Sequence, residues 1–163
     1  MAIALVDLLH ESQIVLPLRA ATRDDAMAEL VELLANNRKI DPPSPGSGAA
    51  SNREKFLAEV RARERSTSTY AADGVAFPHA RTEFAKEISL AVGRSENGIP
   101  WTGKGEIAHL IFLIAVPERL LSDYLVVIGA IARVTKDAPL RTLLMHAETP
   151  ADFIATMLSA PSI

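Results

Sequence analysis

Histidine is the side chain in this sequence best suited to chemistry near neutral pH, and one of the four, His79, stands in the segment GVAFPHAR, residues 74–81. The apolar residues of this segment alternate as in a short strand. Pro78 lacks the N–H that an inner strand donates to its neighbour. We therefore expect the strand to stop at Pro78 and to present His79 at the rim of a sheet.

The chemistry that this segment allows is transfer of an anionic group to the imidazole ring. A neutral imidazole is a nucleophile near pH 7 because its ordinary pKa is about 6.5. Arg81 follows two residues after His79, close enough to contact an anion held at the ring. The segment alone leaves a second interpretation open, in which His79 ends a strand for packing reasons.

A cluster of arginines and hydroxyls precedes this segment. The run RARER, residues 61–65, leads directly into STST, residues 66–69. Guanidinium groups beside hydroxyls can cradle phosphate oxygens. Two plainer interpretations stay open: the charged run is the solvated face of a helix, and the hydroxyls form an exposed turn with local hydrogen bonds to the backbone.

The composition narrows the class of protein. The 163 residues fit a single domain, 1–163, with 48% hydrophobic and 23% charged residues, as is usual for a globular chain. A net charge of -3 with 5% aromatic residues argues against nucleic acid as a partner. The chain has no cysteine, which excludes disulfides and thiolate metal sites. No apolar run is long enough to span a bilayer, and the N-terminal residues lack a signal-peptide pattern, so we expect a cytoplasmic protein without membrane insertion.

Helix and strand patterns alternate along the first half of the chain. We expect a short helix over residues 3–9, an edge strand over residues 14–18, and two amphipathic helices with N-caps at Thr22 and Ser51. Between these helices, residues 41–50 are rich in Pro, Gly and Ser and predict a flexible surface loop.

The second half of the chain predicts the centre of a sheet. Residues 88–92 indicate a strand that ends at Gly93, and Asn97-Gly98 indicates a turn. Residues 107–116 are almost wholly apolar, so we expect a strand that is buried on both faces.

Three closing helices follow the apolar strand. We expect Pro117 to end that strand, with a rim loop over residues 118–123 and a last helix capped by Thr149. Strands that alternate with helices around a doubly buried strand predict an α/β fold, a three-layer sandwich with helices on both faces of the sheet.

Several of these segments resemble, in order and spacing, the type 2 EIIA domain of the bacterial phosphotransferase system, the fructose/mannitol and nitrogen-regulatory type. The pattern of that family is an Arg-Glu pair, then a Ser-Thr pair, then Gly, apolar, Ala, apolar, Pro, His. This chain has Arg63-Glu64, Ser68-Thr69 and residues 74–79 at the same spacing. The resemblance extends over about residues 5–158.

The resemblance implies a phosphoryl carrier with a mixed β-sheet between helical layers. His79 would accept phosphate on Nε2 from a phosphorylated HPr-like carrier protein, and would pass it to an EIIB domain or hold it as a signal for a regulatory target protein. Arg63, Ser68 and Thr69 would line the phosphate pocket, with Arg81 as a second positive group. The resemblance implies no metal and no organic cofactor. It leaves open the sugar, the pathway and the oligomeric state.

The chain departs from the family pattern at one position that matters. The family usually has a second histidine seven residues after the proline that ends the buried strand, where it helps to bind or orient the phosphoryl group. Seven residues after Pro117 the chain has Tyr124, which can donate one hydrogen bond but carries no positive charge at pH 7. Either Tyr124 supplies its hydroxyl and transfer continues, or the protein is a regulatory module in which transfer is slow or absent.

The remaining alternatives concern the other histidines and a different reaction. We expect His109 to be a packing histidine with its hydrogen bonds satisfied, and His146 to lie at a surface or a helix end. A hydrolase that uses His79 as a general base is the weakest hypothesis, because no Gly-x-Ser-x-Gly segment or paired-carboxylate signal accompanies it.

Overall fold

The computed structural model describes residues 3–41 and 51–160. Nearly all of the loop predicted over residues 41–50 lies outside the described residues. The described elements are three short 3₁₀ turns (Leu5–Asp7, Glu11–Gln13 and Glu118–Leu120), strands β1 (Ile14–Val15), β2 (Tyr70–Ala72), β3 (Val75–Ala76), β4 (His79–Thr82), β5 (Ser89–Pro100) and β6 (Ile107–Pro117), and helices α1 (Arg23–Asn36), α2 (Asn52–Ser66), α3 (Leu121–Thr135), α4 (Ala138–His146) and α5 (Pro150–Met157). None of the helices in the described ranges is long and apolar enough to cross a membrane.

Six strands form one mixed sheet in the order β1-β5-β6-β3-β2, with β4 also paired to β6 beyond β3. The long strands β5 and β6 are antiparallel, whereas β3 and β4 run parallel to β6. The strand β1 lies at one edge, as Pro17 predicted, although it covers only Ile14 and Val15 of the expected five residues.

The strand β6 is buried on both faces, as predicted, and its side chains alternate between two hydrophobic cores. One core lies between the sheet and α3–α5 and takes Leu110, Phe112 and Ile114. The other lies against α1 and α2 and takes Ile111 and Leu113. The three-layer α/β sandwich with a mixed sheet is therefore confirmed.

The predicted helix starts are confirmed where a Ser or Thr side chain precedes a first turn with an acidic residue. The side chains of Thr22, Ser51 and Thr149 each accept a hydrogen bond from the backbone N–H three residues later. The predicted rim loop over residues 118–123 is wrong in its second half, because α3 begins at Leu121 after one 3₁₀ turn.

The prediction that a strand ends at Gly93 and turns at Asn97-Gly98 is wrong. β5 continues to Pro100, and its pairing with β6 shifts register between Arg94 and Ile99. The positive φ of Gly98, 83°, belongs to this irregularity and not to a hairpin turn.

The prediction that a strand stops at Pro78 holds for β3, which ends at Ala76, but the interruption is only two residues long. Pro78 lacks a donor, but its carbonyl accepts a hydrogen bond from the Ile114 N–H at 3.0 Å. β4 then continues beside β6 with His79 opposite Ile114. His79 is therefore the first residue of the next strand, β4, which the sequence did not predict.

The buried side chain of Arg94, on β5, forms hydrogen bonds with the end of α4. Arg94 is 6% exposed, and its guanidinium donates to the carbonyls of Leu144 at 2.8 Å and Ala147 at 2.7 Å. These carbonyls lie at the C-terminus of α4, where helical carbonyls have no partner within the helix.

We expect Arg94→Met to lower the free energy of unfolding by about 2 kcal/mol, because it leaves buried carbonyls without a donor. Urea denaturation measures this loss. The matched variant Arg133→Met changes an exposed arginine of α3 and should cost less than about 0.5 kcal/mol. A loss in Arg94→Met no larger than that of the control would contradict the role of Arg94.

Candidate functional site

The imidazole of His79 is held with one particular nitrogen toward the backbone. Its Nδ1 lies 2.9 Å from the carbonyl oxygen of Phe77. A carbonyl only accepts hydrogen bonds, so Nδ1 carries the proton and donates it. In the neutral ring, the lone pair then lies on Nε2, which is the nitrogen available as a nucleophile.

The hydroxyl of Tyr124 lies over the face of this ring. It is 3.2 Å from Nδ1 and 3.2 Å from Nε2 of His79, and the two ring centroids are 4.7 Å apart. The Nδ1–H bond and the Nε2 lone pair both lie in the plane of the ring and point away from each other, so an atom that is equally close to the two nitrogens lies along neither direction. The hydroxyl therefore leaves the Nε2 lone pair free.

The surroundings of His79 lower its pKa below the ordinary value of about 6.5. Burial of the ring is the largest cause, since it disfavours the charged imidazolium. The hydrogen bond to Phe77 and the charge of Glu64 raise the pKa, while the charge of Arg63 lowers it. The ring is consequently neutral at pH 7. Burial also raises the pKa of Tyr124, which keeps its proton.

A cleft of about 540 Å³ opens beside the ring. His79, Arg63, Arg81 and Tyr124 all line it. The cleft also contains two carboxylates, Glu59 and Glu118. Burial raises the pKa of Glu59, whose carboxylate accepts a hydrogen bond from the Thr82 hydroxyl at 2.7 Å.

The arginine that lines this cleft from α2 is held by the turn that follows the helix. The guanidinium of Arg63 donates to the Thr67 carbonyl at 2.7 Å. The opposite wall comes from Tyr124 and Leu121 near the start of α3. The cleft therefore forms where the C-terminal end of α2 and the beginning of α3 meet β4.

The two hydroxyls predicted to line the phosphate pocket have other partners. The Ser68 hydroxyl accepts a hydrogen bond from the Tyr70 N–H at 3.1 Å, and the Thr69 hydroxyl donates to the Glu64 carboxylate. Neither residue is among those that line the cleft. Of the six residues predicted for the site, four thus line one cleft, and Ser68 and Thr69 belong to the adjoining turn.

The prediction of a solvated face for residues 61–65 is wrong at Glu64. This carboxylate is only 2% exposed and accepts hydrogen bonds from Trp101 Nε1 at 3.1 Å and from the Thr69 N–H at 2.8 Å. Sequence reasoning missed it because a Glu between arginines has the composition of a surface helix. The one available signal was the pairing of Arg63 with Glu64 in the resemblance.

The other histidines lie away from this cleft. His109 has the predicted packing role: its Nδ1 bonds the Ser95 carbonyl at 2.9 Å. Its ring lies where a Cβ on Gly74 or Gly98 would contact it. His146 lies exposed at the end of α4, as predicted. Among the described residues, no group of three or more His, Asp or Glu side chains is placed to hold a metal ion.

Together, the fold and the cleft define an α/β domain that presents a neutral histidine to an arginine-lined cleft. The profile of the family "Phosphoenolpyruvate-dependent sugar phosphotransferase system, EIIA 2" matches residues 7–160. The chain therefore belongs to this family.

Individual relatives agree with this assignment. The chain is 28% identical over 156 residues to the 2-O-alpha-mannosyl-D-glycerate-specific EIIABC component of Escherichia coli (strain K12), covering 94% of this chain and 22% of that protein. The chain spans about a fifth of the length of the curated EIIABC relatives that it matches.

Two solved structures share the fold. The nitrogen regulatory protein IIA-Ntr of Neisseria meningitidis superposes with a TM-score of 0.78 at 24% identity, covering 94% of this chain and 99% of that one. The mannitol enzyme IIA of E. coli, in complex with phosphorylated enzyme IIB, has a TM-score of 0.76 at 18% identity, covering 91% of this chain and 96% of that one.

We expect the pKa of His79 to rise in Arg63→Gln, because removing the guanidinium charge makes the imidazolium less unfavourable. An NMR titration of the histidine ring signals measures the pKa, which should lie below 6.5 in the unaltered chain. Arg65→Gln, an exposed position on the same helix, is the matched control. A pKa at or above 6.5 in the unaltered chain, or no rise in Arg63→Gln, would show that the described surroundings of the ring are wrong.

Proposed function

We propose that this chain is a phosphoryl carrier in which Nε2 of His79 takes phosphate from a phosphorylated HPr-like protein and passes it to an EIIB domain. The observation that carries the proposal is the hydrogen bond from Nδ1 to the Phe77 carbonyl. It leaves Nε2 with a lone pair beside an arginine-lined cleft, in a chain that belongs to the EIIA family.

The transfer step needs few groups. The Nε2 lone pair attacks phosphorus, the bond between phosphorus and the donor's nitrogen breaks, and its electron pair stays on that nitrogen. Positive charge around the equatorial oxygens stabilises the transition state. Arg63 supplies that charge through a planar guanidinium that can contact two oxygens, and Arg81 adds to it from the rim of the cleft.

An exposed apolar surface beside the cleft fits a partner protein. On α3, Leu121, Leu125 and Val126 are 45%, 65% and 54% exposed, and Leu121 also lines the cleft. Contiguous apolar side chains at the surface are typical of contact sites for other proteins. The mannitol relative described above is known in complex with its phosphorylated IIB, and we propose that the same face of this chain meets its donor and acceptor in turn.

A regulatory module that binds a target protein without efficient transfer is the second candidate. The observation that favours it is Tyr124, a neutral residue over the ring of His79 where the family pattern has a second histidine. We place retained transfer first, because His79 keeps its free Nε2 and Arg63 lines the same cleft.

Incubation with phosphoenolpyruvate, Enzyme I and HPr tests the proposal. We expect a mass gain of one phosphate that is acid-labile and base-stable, and that is absent in His79→Ala. Arg63→Ala should slow phosphorylation about 100-fold, the usual cost of removing one group that stabilises transition-state charge, without unfolding the domain.

The result that would overturn the carrier role is the absence of any phosphate on the unaltered chain. If a target protein still bound, the regulatory module would be the better account. Full phosphorylation of His79→Ala would move the site elsewhere, and unchanged kinetics in Arg63→Ala would remove that residue's role.

We expect Tyr124→His to speed phosphorylation at pH 6 by about fivefold, because a protonated imidazole near the phosphoryl group adds about 1 kcal/mol of favourable charge interaction. Stopped-flow or quenched-flow transfer from phospho-HPr measures the rate. Tyr124→Phe keeps the aromatic ring and removes only the hydroxyl, so it separates the effect of losing the hydroxyl from the effect of gaining a charge. An unaltered rate in Tyr124→His would show that the missing cation does not limit transfer.

A further inference from the structure

Three hydrogen bonds, joined through the backbones of Thr69 and Phe77, link the buried carboxylate of Glu64 to the ring of His79. The Thr69 N–H donates to Glu64 at 2.8 Å, and the Thr69 carbonyl accepts from the Phe77 N–H at 3.1 Å. The Phe77 carbonyl then accepts from Nδ1 of His79 at 2.9 Å. Thr69 and Phe77 each use both their N–H and their C=O in these bonds, so the backbone of each residue is held on both sides of its Cα.

The same carboxylate also stabilises the turn that holds Arg63. Glu64 bonds both the N–H and the hydroxyl of Thr69, at one end of the 67–69 turn. At the other end of this turn, the Thr67 carbonyl accepts from the guanidinium of Arg63 at 2.7 Å. The turn is therefore held at both ends by neighbouring residues of α2.

The burial of Glu64 indicates that its geometry is well defined. The carboxylate is 2% exposed, and none of the ion pairs among the described residues includes it. An ionised carboxylate away from water is tolerated only where hydrogen-bond donors surround it. Two donors come from Thr69, and the third is the indole N–H of Trp101, which is 1% exposed.

We propose that Glu64 is a positioning residue for phosphoryl transfer: through Thr69 and Phe77 it keeps the proton of His79 on Nδ1, and through the 67–69 turn it keeps Arg63 at the cleft. This inference deepens the proposed carrier function and, for its kinetic part, rests on it. Glu64 does not touch the reacting atoms. Its effect is to determine which ring nitrogen is free and where the guanidinium lies.

Two conservative variants separate the effect of the hydrogen-bond geometry of Glu64 from the effect of its negative charge. In Glu64→Gln, the amide oxygen can still accept from Thr69 N–H and Trp101, and the amide N–H₂ can donate to the Thr69 hydroxyl. In Glu64→Asp, the charge stays but the side chain is one methylene too short to reach all three donors. Glu54→Gln, an exposed position on α2, is the matched control, and thermal melting confirms that each variant is folded.

The first measurement is the tautomer of His79, read from the ¹⁵N chemical shifts of the labelled ring at pH 8, where the ring is neutral. We expect the Nδ1–H tautomer in the unaltered chain, in Glu54→Gln and in Glu64→Gln, and a mixture of tautomers in Glu64→Asp. The second measurement is the rate of phosphorylation by phospho-HPr. It should fall about tenfold in Glu64→Asp, the lower end of the loss that follows removal of a group orienting a metal-bound histidine, and less than threefold in Glu64→Gln.

A role that depended on the negative charge of Glu64 would reverse the order of activity of the two variants. If its negative charge were the active property, folded Glu64→Gln would lose activity and Glu64→Asp would keep it, which would overturn the proposal. A single Nδ1–H tautomer with an unaltered rate in Glu64→Asp would overturn it as well, while leaving His79 as the phosphate acceptor. If the unaltered chain accepts no phosphate, the carrier function fails, but the tautomer measurement still decides the role of Glu64.

Discussion

The hydrogen bond between Nδ1 of His79 and the carbonyl of Phe77 is the interaction on which the site depends. It decides that the ring presents Nε2, and it holds the imidazole in one orientation at the beginning of β4. Phe77 can supply this carbonyl because the chain leaves the ladder with β6 between β3 and β4. The Phe77 N–H donates to the Thr69 carbonyl, and the Phe77 carbonyl accepts from Nδ1 of His79, so neither group pairs with β6.

The burial of β6 gives this arrangement a rigid support. Apolar side chains cover both faces of the strand, so its register against β3 and β4 is fixed by two cores at once. α2 brings Arg63 to the cleft from one layer, and α3 brings Tyr124 from the other. A site made from both helical layers and the sheet between them would need little adjustment to receive the phosphoryl group that we propose.

The sequence was sufficient for the layers and for most of the cleft. The apolar run over residues 107–116 predicted a doubly buried strand, and hydroxyls before acidic first turns located the helix starts. The resemblance to the EIIA family implied a shared site for Arg63 and His79, and both residues line one cleft in the structure. Local pattern is enough where burial or capping alone decides the outcome.

The sequence was insufficient where a distant contact changes a local signal. Asn97-Gly98 has the composition of a turn, but β6 pairs on either side of it and makes it an irregularity within β5. Pro78 has no donor, yet its acceptor keeps the strand in register. Glu64 reads as a surface charge because its donors, Thr69 and Trp101, reach it only in the folded chain.

Heteronuclear ³¹P–¹⁵N NMR of the phosphorylated, ¹⁵N-histidine-labelled chain identifies the nitrogen that carries the phosphoryl group, which we propose is Nε2 of His79. We expect one phosphohistidine signal, with phosphorus coupled to Nε2 of His79 and with Nδ1 still protonated toward the Phe77 carbonyl. Coupling of phosphorus to Nδ1, or to a ring nitrogen of another histidine, would rule out Nε2 of His79 as the phosphate-carrying atom.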